Sequence, residues 1–297
     1  MKYFVFDATN ALALRRDASG TYGIPTEPPV PIPTDDALAY DMTEWAGEPA
    51  VAYAAATPWS TDGKRATGIG GLAPLPLRQT WDVLPRRDYA LACHAATWLH
   101  WERTNRFCPM CGTPLVRHLP MGKRCPACGA EHFPHLAPAV IVRIVRPAPA
   151  GLPDVAPGTP QVLLVHARTF RDARMYGLVA GFLEGGETLE ECVHREVREE
   201  TGLTIAHVRY FASQPWPYPS GVMVAFTAEW AGGELHLADG ELSDARWCDA
   251  AHLPDVLPQP MSIARQLIDS WLADNDGTDQ RPSVKRSPSA KAGNFSR

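Results

Sequence analysis

The sequence has no run of 18 consecutive apolar residues, which excludes a transmembrane helix of ordinary length. Its first ten residues, MKYFVFDATN, lack the long apolar core of a secretory signal peptide. We therefore predict a cytoplasmic protein without membrane association. Positive charge is also in deficit, because 28 lysines and arginines stand against 33 aspartates and glutamates. The resulting net charge of −5 gives no general case for affinity to nucleic acids.

Cysteine is sparse too, and four of the seven cysteines lie in two C-P-x-C-G motifs, with thirteen residues between Cys111 and Cys125. The glycine after each pair permits a tight turn that directs two sulfurs at one metal ion. Disulfides and redox dithiols are the alternatives, but a cytoplasmic chain with a repeated motif disfavours both. We predict one structural, tetrahedral Zn²⁺ per chain, bound by Cys108, Cys111, Cys125 and Cys128. The other cysteines, Cys93, Cys192 and Cys248, are predicted to be small buried residues.

Residues 181–203 predict a glycine-rich loop followed by a helix with carboxylates on its apolar side. At about 100° per residue, Glu196, Glu199 and Glu200 share one half of the helix with its apolar residues. Arg195 falls on the opposite half with the solvated charges, and Gly181 gives the loop freedom to approach a ligand. Carboxylates held against a core need cations, and Mg²⁺ or Mn²⁺ fits oxygen ligands that meet a phosphate-bearing substrate. The alternative is a charge-rich surface helix.

The same stretch resembles the Nudix box, G-x5-E-x7-R-E-U-x-E-E-x-G-U with U aliphatic. Every specified position is filled, by Gly181, Glu187, Arg195, Glu196, Val197, Glu199, Glu200, Gly202 and Leu203. Nine specified positions over 23 residues are far more selective than a short glycine motif. The resemblance implies hydrolysis of a nucleoside diphosphate linked to another moiety.

Residues 213–220 read SQPWPYPS, and three prolines in this segment stiffen a backbone that displays two aromatic rings. Composition alone is equally typical of a rigid surface loop. The segment resembles the SQPWPFPxS signature of the bacterial NADH pyrophosphatase and NAD-decapping (NudC-type) family, with Tyr218 where that pattern has Phe. The order of parts is similar as well, and the resemblance covers residues 78–271.

This resemblance implies Glu196, Glu200 and Glu241 as ligands of Mg²⁺ or Mn²⁺, with Glu199 close by and the Ala180 carbonyl as a further ligand. Without it, Glu241 reads equally well as an exposed turn residue. The catalytic residues implied are Glu196, Glu199 and Glu200, and either of the last two is a candidate for the base. The implied substrate contacts are Arg78, Phe133, Phe182, Gln214, Pro215, Trp216, Pro217, Tyr218, Pro219, Ser220, Glu241 and Ala264. Phe133 replaces a frequent tyrosine of the family, and Pro120 stands where the family has an acidic contact.

The resemblance implies an enzyme, an NAD⁺/NADH diphosphatase that yields nicotinamide mononucleotide and AMP and also removes the 5′ NAD cap from RNA. It further implies a homodimer. Two alternatives remain open: a Nudix hydrolase of another dinucleotide or an ADP-sugar, and a zinc-ribbon binding protein with an inactive Nudix fold.

We predict an α/β (α+β) fold with four regions: an N-terminal mixed α/β domain at 1–103, the zinc ribbon at 104–135, a Nudix α/β/α sandwich at 136–272, and a disordered tail at 273–297. Apolar runs predict strands at 139–144 and 161–165, and periodicity predicts helices at 89–101 and 262–272. The ribbon is locally basic, which indicates either an RNA-facing patch or solubilising charge at Arg103, Arg106, Arg117, Lys123 and Arg124.

Overall fold

The computed structural model describes residues 1–33, 39–55, 72–119, 121–237 and 240–275. Pro120 and all but three residues of the predicted tail therefore lie outside the described residues. The chain forms two compact units. The first contains Met1–Val140, Phe182–Thr188 and Ser213–Val224, and the second contains Ile141–Gly181, Leu189–Ala212 and the described part of Ala225–Arg297. The bounds of the four predicted regions stay a prediction.

The N-terminal part of the first unit is a mixed sheet. Its six strands are β1 (Lys2–Phe6), β2 (Ala11–Arg16), β3 (Tyr22–Gly23), β4 (Ala39–Asp41), β5 (Ala50–Ala54) and β6 (Leu72–Pro76). The order is β3-β2-β1-β5-β4, β6 also pairs with β2, and β1 runs parallel to β5. Phe4, Leu12, Leu14 and Tyr53 are almost completely buried, so the apolar residues of these strands form a core.

Three helical segments accompany this sheet: α1 (Thr43–Ala46), a 3-10 helix (Leu77–Asp82) and α2 (Arg86–Thr104). Helix α2 contacts β1, β4 and β5. It confirms the helix predicted at 89–101 but begins three residues earlier, where the apolar pattern has not yet started. Asp88 lies in this added turn and is buried because the Lys2 ammonium lies 2.7 Å from its carboxylate.

The ribbon is a three-stranded antiparallel sheet of β7 (Val116–Leu119), β8 (Gly122–Arg124) and β9 (Glu131–His132). Each C-P-x-C-G turn is closed by its glycine amide, which donates to the carbonyl of the first cysteine, at 2.8 Å from Gly112 to Cys108 and 3.0 Å from Gly129 to Cys125. Both glycines have positive φ, +73° and +76°, which L side chains rarely adopt.

A second large sheet follows the ribbon in sequence. Its strands are β10 (Ala137–Pro147), β11 (Pro160–Ala167), β12 (Val179–Phe182), β13 (Thr204–Trp216), β14 (Gly221–Gly232) and β15 (Leu242–Cys248). The order is β13-β14-β10-β11-β15, and β12 pairs with β10. The strands predicted at 139–144 and 161–165 fall within β10 and β11, and the buried runs of both explain why their sequences are mostly apolar.

Two helices belong to the second unit, α3 (Leu189–Thr201) and α4 (Ile263–Asn275). Helix α3 ends at Gly202, which has a φ of +70° and donates its amide to Arg198 at 2.9 Å. Helix α4 runs three residues past the predicted end at 272. Arg143 of β10 donates to the Leu267 carbonyl and the Ser270 hydroxyl of α4, at 3.2 and 2.8 Å. None of the helices among the described residues is both long and apolar enough to cross a membrane.

Candidate functional site

The four cysteines of the ribbon converge on one point. Their Sγ atoms all lie within 4.8 Å of one another, with separations of 3.7 Å for Cys108–Cys128, 3.4 Å for Cys111–Cys125 and 3.8 Å for Cys111–Cys128. A tetrahedral ion with Zn–S bonds of about 2.3 Å places its sulfurs about 3.8 Å apart. The cluster contains no disulfide, so its geometry fits Zn²⁺.

The two halves of this cluster are built alike. The Cys108 amide donates to the Thr113 carbonyl at 2.9 Å, and the Cys125 amide donates to the Ala130 carbonyl at 2.8 Å. Cys108 and Cys125 are buried, whereas Cys111 and Cys128 are exposed. All four positions of a tetrahedral ion would be occupied by sulfur, which is typical of a structural site rather than a catalytic one.

The basic residues of the ribbon do not form one solvated patch. Lys123 is only 6% exposed, and its ammonium lies 2.7 Å from a Glu102 carboxylate oxygen and 2.8 Å from the Asn105 carbonyl. Arg117 donates to the other Glu102 oxygen at 3.1 Å. Because Glu102 is itself buried, these two cations neutralise an internal carboxylate. Lys123 therefore has neither of the two predicted roles, which were contact with RNA and solubilising charge.

The three box glutamates on helix α3 differ in their exposure to solvent. Glu200 is 4% exposed, the Glu196 side chain is 13% exposed, and the Glu199 side chain is 54% exposed. Cys192, Val193 and Val197 are completely buried on the same helix. The predicted apolar side is therefore correct for Glu196 and Glu200, for which a simple surface helix does not account. Placing Glu199 on that side was wrong, because it lies at the edge of the apolar stripe and its side chain reaches solvent.

Arg195 contacts this face rather than solvent. One of its terminal nitrogens donates to Glu196 at 2.9 Å and to Glu199 at 3.0 Å, and the side chain is 22% exposed. Placing Arg195 on the solvated side was wrong, because its long side chain reaches the next residue and the one four positions on. Burial raises the pKa of Glu196; the Arg195 charge opposes this shift, whereas the charges of Glu199 and Glu241 add to it.

Gly181, the first glycine of the box, lies directly against the Glu196 carboxylate. A Cβ atom at position 181 would be 1.9 Å from Cδ of Glu196 and 2.0 and 2.2 Å from its two oxygens. This glycine was predicted to let the loop approach a ligand, but its observed neighbour is the box glutamate itself. Glycine at 181 is therefore required by the position of Glu196.

Two further predicted metal ligands, Ala180 and Glu241, are each related to Glu196. Ala180 lies beside Gly181 in β12 and is half-buried, and Glu241 is exposed but close enough for its charge to raise the pKa of Glu196. Among the described residues, only the four cysteines bring at least three Cys, His, Asp or Glu ligand atoms close enough together to hold one metal ion. The carboxylate ligand set thus stays a prediction, supported by the burial of Glu200 and the packing of Glu196 on Gly181.

The signature residues belong to the first unit and surround an arginine. Trp216 and Tyr218 meet edge to face with ring centroids 5.1 Å apart. The Arg78 guanidinium carbon lies 5.0 Å from the Trp216 centroid and 4.5 Å from the Tyr218 centroid. The structure therefore places Arg78, which only the resemblance had indicated, against the signature rings.

Tyr218 does not display a free ring. It is half-buried, and its hydroxyl lies 3.2 Å from the hydroxyl of Tyr89, a residue of α2 that is 6% exposed. Sequence reasoning missed Tyr89. The tyrosine at 218 could have indicated such a neighbour, because an additional hydroxyl that is partly shielded from water requires a polar partner.

The other signature residues differ in exposure. Pro217 is buried, Gln214 is half-buried, and Pro215 and Pro219 are exposed. The Ser220 hydroxyl donates to the His135 carbonyl at 2.9 Å, so this serine holds the segment to the stretch that precedes β10.

Three further predicted contacts lie at accessible positions. The ring of Phe133 is packed against Gly122, where an added Cβ would lie 2.9 Å from a ring carbon, and Phe133 remains 44% exposed. Phe182 is 65% exposed at the end of β12. Ala264 is half-buried in the first turn of α4. Two exposed rings are suited to stacking, but their role stays a prediction.

The first unit also contains a cavity of about 720 Å³ beside α2 and the ribbon. Its lining includes Asp7, Arg103, Arg106, Phe107 and Pro219. Of the predicted substrate contacts, the lining contains Pro219.

Two families match the chain: the NUDIX domain over residues 146–271 and the NADH pyrophosphatase zinc ribbon domain over residues 103–133. With the carboxylate-bearing helix and the sulfur cluster, these matches define a Nudix hydrolase with a zinc ribbon. The NAD-capped RNA hydrolase NudC of Chromobacterium violaceum is 41% identical over 198 residues, covering 65% of this chain and 68% of that protein. The NudC of Deinococcus radiodurans is also 41% identical over 198 residues, with 66% and 67% covered. The chain belongs to the NudC family of Nudix hydrolases.

Among solved structures, a NUDIX hydrolase from Nitrosomonas europaea is 21% identical, covers 58% of this chain and 92% of that one, and has a TM-score of 0.44. The family matches confirm the predicted resemblance and the predicted mixed α/β fold with a Nudix domain and a four-cysteine ribbon. The predicted burial of the other three cysteines is confirmed as well, since Cys93, Cys192 and Cys248 are each at most 5% exposed.

Proposed function

We propose that the protein hydrolyses the pyrophosphate bond of NADH and NAD⁺ to nicotinamide mononucleotide and AMP, and removes the 5′ NAD cap from RNA. The relatives at 41% identity are NAD-capped RNA hydrolases by name, and the matched regions span about two thirds of their length. The observation that carries the proposal is the pair of buried-face carboxylates, Glu196 and Glu200, on a helix that retains every position of the Nudix box.

Hydrolysis of a pyrophosphate requires that water reach a phosphorus atom surrounded by anionic oxygens. Glu196, Glu200 and Glu241, with the Ala180 carbonyl, are the residues that would hold Mg²⁺ or Mn²⁺. A bound divalent cation supplies charge neutralisation and lowers the pKa of water. Oxygen donors at a partly buried position suit either ion.

The chain's own residues position these carboxylates. Gly181 leaves room for Glu196, and Arg195 holds Glu196 and Glu199 through hydrogen bonds of 2.9 and 3.0 Å. Charge-assisted bonds of this length fix carboxylate orientation. Glu199 or Glu200 accepts the proton of the attacking water. Glu199 is the more accessible of the two, and Glu200 is the more deeply held.

Substrate recognition is assigned to the signature segment and Arg78. The guanidinium of Arg78 is held over Trp216 and Tyr218, so a positive charge lies beside an aromatic surface. A nucleotide offers a flat base and an anionic phosphate, which match these two features. The exposed rings of Phe133 and Phe182 are proposed to contact the nicotinamide moiety.

The ribbon is proposed to bind one structural Zn²⁺ through its four thiolates, because the sulfur spacings match tetrahedral coordination. A homodimer and a cytoplasmic location complete the proposal. The homodimer derives from the family resemblance and the location from the hydropathy of the sequence. Each has a direct measurement: light scattering for the dimer and cell fractionation for the location.

A parallel hydrolysis assay tests the proposed reaction. NADH, NAD⁺, ADP-ribose and a 5′ NAD-capped RNA are each incubated with Mg²⁺ or Mn²⁺, and the products are resolved by chromatography. We expect nicotinamide mononucleotide from NADH and NAD⁺, and a 5′-monophosphate RNA end from the capped RNA. Preference for ADP-ribose would favour a different Nudix hydrolase. Inactivity on all four substrates, with metal and zinc bound, would favour a binding protein.

A further inference from the structure

Tyr89, which is buried, and Tyr218, which is half-buried, form a pair of hydroxyls within the first unit. Their oxygens lie 3.2 Å apart, although 129 positions separate the residues in sequence. Tyr89 is 6% exposed, and its ring also meets Trp81 edge to face with centroids 5.2 Å apart. Trp81 and Arg78 both belong to the 3-10 helix. Tyr89 therefore contacts the signature segment and the helix that carries Arg78.

Each member of the pair has one further neighbour. The Arg78 guanidinium carbon lies 4.5 Å from the Tyr218 ring centroid, and Cys93 follows Tyr89 one turn later on α2. Burial raises the pKa of Cys93 to about 11, so this thiol stays neutral and is only a weak partner. The hydroxyl pair is therefore the main polar link between α2 and the signature.

A poorly solvated hydroxyl that loses its partner is destabilising, whereas replacing both members of a pair by apolar groups is nearly neutral. The two hydroxyls are thus expected to act as one unit. If only one is removed, the ring at 218 is no longer tied to α2, and the remaining hydroxyl moves its own ring toward another polar partner. Such a shift moves the surface against which Arg78 is held, because the guanidinium carbon lies 4.5 Å from the Tyr218 centroid.

We propose that Tyr89 is a positioning residue that fixes the ring of Tyr218, and through it Arg78, for substrate binding. This inference rests on the proposed function, because it concerns the same signature segment. It gives the tyrosine at 218 a specific purpose: the added hydroxyl ties the signature to α2. Tyr89 itself touches no substrate.

The test is a double-mutant cycle of Tyr89→Phe, Tyr218→Phe and the double variant, with KM and kcat for NADH and the melting temperature measured for each. Each single variant is expected to raise KM about 3- to 10-fold with kcat nearly unchanged, since a hydrogen bond of this kind is worth about 1 kcal/mol. The double variant should return KM to within about twofold of the original value, because coupled residues are non-additive. Affinity for NADH is also measured without added Mg²⁺ or Mn²⁺, through the fluorescence of the dihydronicotinamide.

Tyr53→Phe is the matched control. Tyr53 is completely buried in the same unit, and its hydroxyl donates to the Val30 carbonyl at 2.7 Å, away from the signature. It should lower the melting temperature and leave KM unchanged, which separates a loss of stability from a loss of positioning. Rescue of KM in the double variant is the outcome that a merely structural role would not produce.

Two outcomes overturn the positioning role: a KM unchanged in Tyr89→Phe, or KM increases that simply multiply in the double variant. A wild-type protein that binds NADH without hydrolysing it overturns the proposed function, while the cycle is still read from binding affinity. A wild-type protein that neither binds nor hydrolyses NADH overturns both.

Discussion

The sulfur cluster of the ribbon and the carboxylate face of α3 are both collections of like charges, but they are built in different ways. The four sulfurs lie within 4.8 Å of one another on short side chains held by two nearly identical backbone turns. The glutamates reach from a helix on longer side chains, and Arg195 bridges two of them. The backbone turns of the ribbon hold its sulfur atoms at the spacing that one metal ion requires. The carboxylates on α3 depend on neighbouring side chains for their positions.

This difference matches two demands on a metal site. A structural ion needs a closed set of ligands, and the ribbon offers four sulfurs from adjacent turns. A site that handles substrate must leave coordination positions open. The graded exposure of the box glutamates, from Glu200 at 4% to the Glu199 side chain at 54%, leaves part of the α3 surface accessible. The predictions below change one region at a time.

Cys125→Ser should have the largest effect, and it should be confined to the ribbon. Cys125 is buried and lies 3.4 Å from Cys111, so losing this sulfur opens the cluster. Structural zinc contributes about 10 kcal/mol or more to folding of small zinc modules. We expect zinc content, measured by atomic emission, to fall well below the ratio of the unchanged protein, and the melting temperature to fall with it.

Cys93→Ala is the control for that change, because Cys93 is a buried cysteine outside the cluster. It should retain zinc despite a modest loss of stability. If Cys125→Ser kept both its zinc and its melting temperature, the ribbon would not be the zinc site.

Glu200→Gln should act on the other region alone. The substitution keeps the size of a side chain that is 4% exposed but removes its charge. We expect kcat for NADH to fall about 100- to 1,000-fold, the range seen when one group that stabilises a transition state is removed. Zinc content and melting temperature should stay close to their original values. Glu190→Gln, an exposed residue in the first turn of the same helix, is the control and should keep its activity. Near-normal turnover by Glu200→Gln would remove this glutamate from the catalytic set.

The contrast between the regions also explains what sequence can predict. The cysteine cluster follows from two local motifs, because the turn that unites each pair is complete within five residues. The buried side of α3 follows from helical periodicity. Periodicity gives the direction of the Cα–Cβ bond but not the reach of a long side chain, so Arg195 was placed on the wrong side.

Contacts between residues distant in sequence were beyond such reasoning. The hydroxyl pair of Tyr89 and Tyr218 and the burial of Lys123 against Glu102 both require the folded chain. A sequence pattern can signal only that a partner is needed, as the unusual tyrosine at 218 could have done. The neighbour of Gly181 is a similar case: the glycine was evident in the motif, but its reason is the position of Glu196.

Gly181→Ala should test how far the carboxylate depends on its neighbour. The new methyl group would lie about where the Glu196 carboxyl now is, so the carboxylate must move. Displacing a catalytic group by about 1 Å can cost about 100-fold in rate. We expect kcat to fall about 10- to 100-fold while zinc content is kept. Gly185→Ala is the matched control, since a Cβ there meets nothing within 4 Å. Equal activity in the two variants would contradict the role assigned to this close approach.

Glu196→Gln should change stability only modestly, and the direction of the change is informative. Burial raises the pKa of Glu196 in the folded protein, so ionisation of this carboxyl costs more in the fold than in the unfolded chain. Stability of the unmodified protein, without added Mg²⁺ or Mn²⁺, should therefore fall as pH rises from the ordinary glutamate range through the raised value. Glutamine does not ionise, so the variant should melt at a higher temperature, and its advantage should grow over this window and then level off.

Adding Mn²⁺ should reverse that order, because a ligand that binds only the folded state stabilises it and the variant has lost a charged donor. The measurement is a series of thermal melts from about pH 5 to about pH 8, with and without Mn²⁺ and without a chelator, so that the ribbon keeps its zinc. Glu190→Gln should show neither the pH-dependent gain nor the reversal. A variant less stable than the unmodified protein at neutral pH without Mn²⁺ would mean that the Arg195 contact outweighs the burial of Glu196. The carboxylate would then stabilise its region as the thiolates do, and the distinction between the two sites would fail.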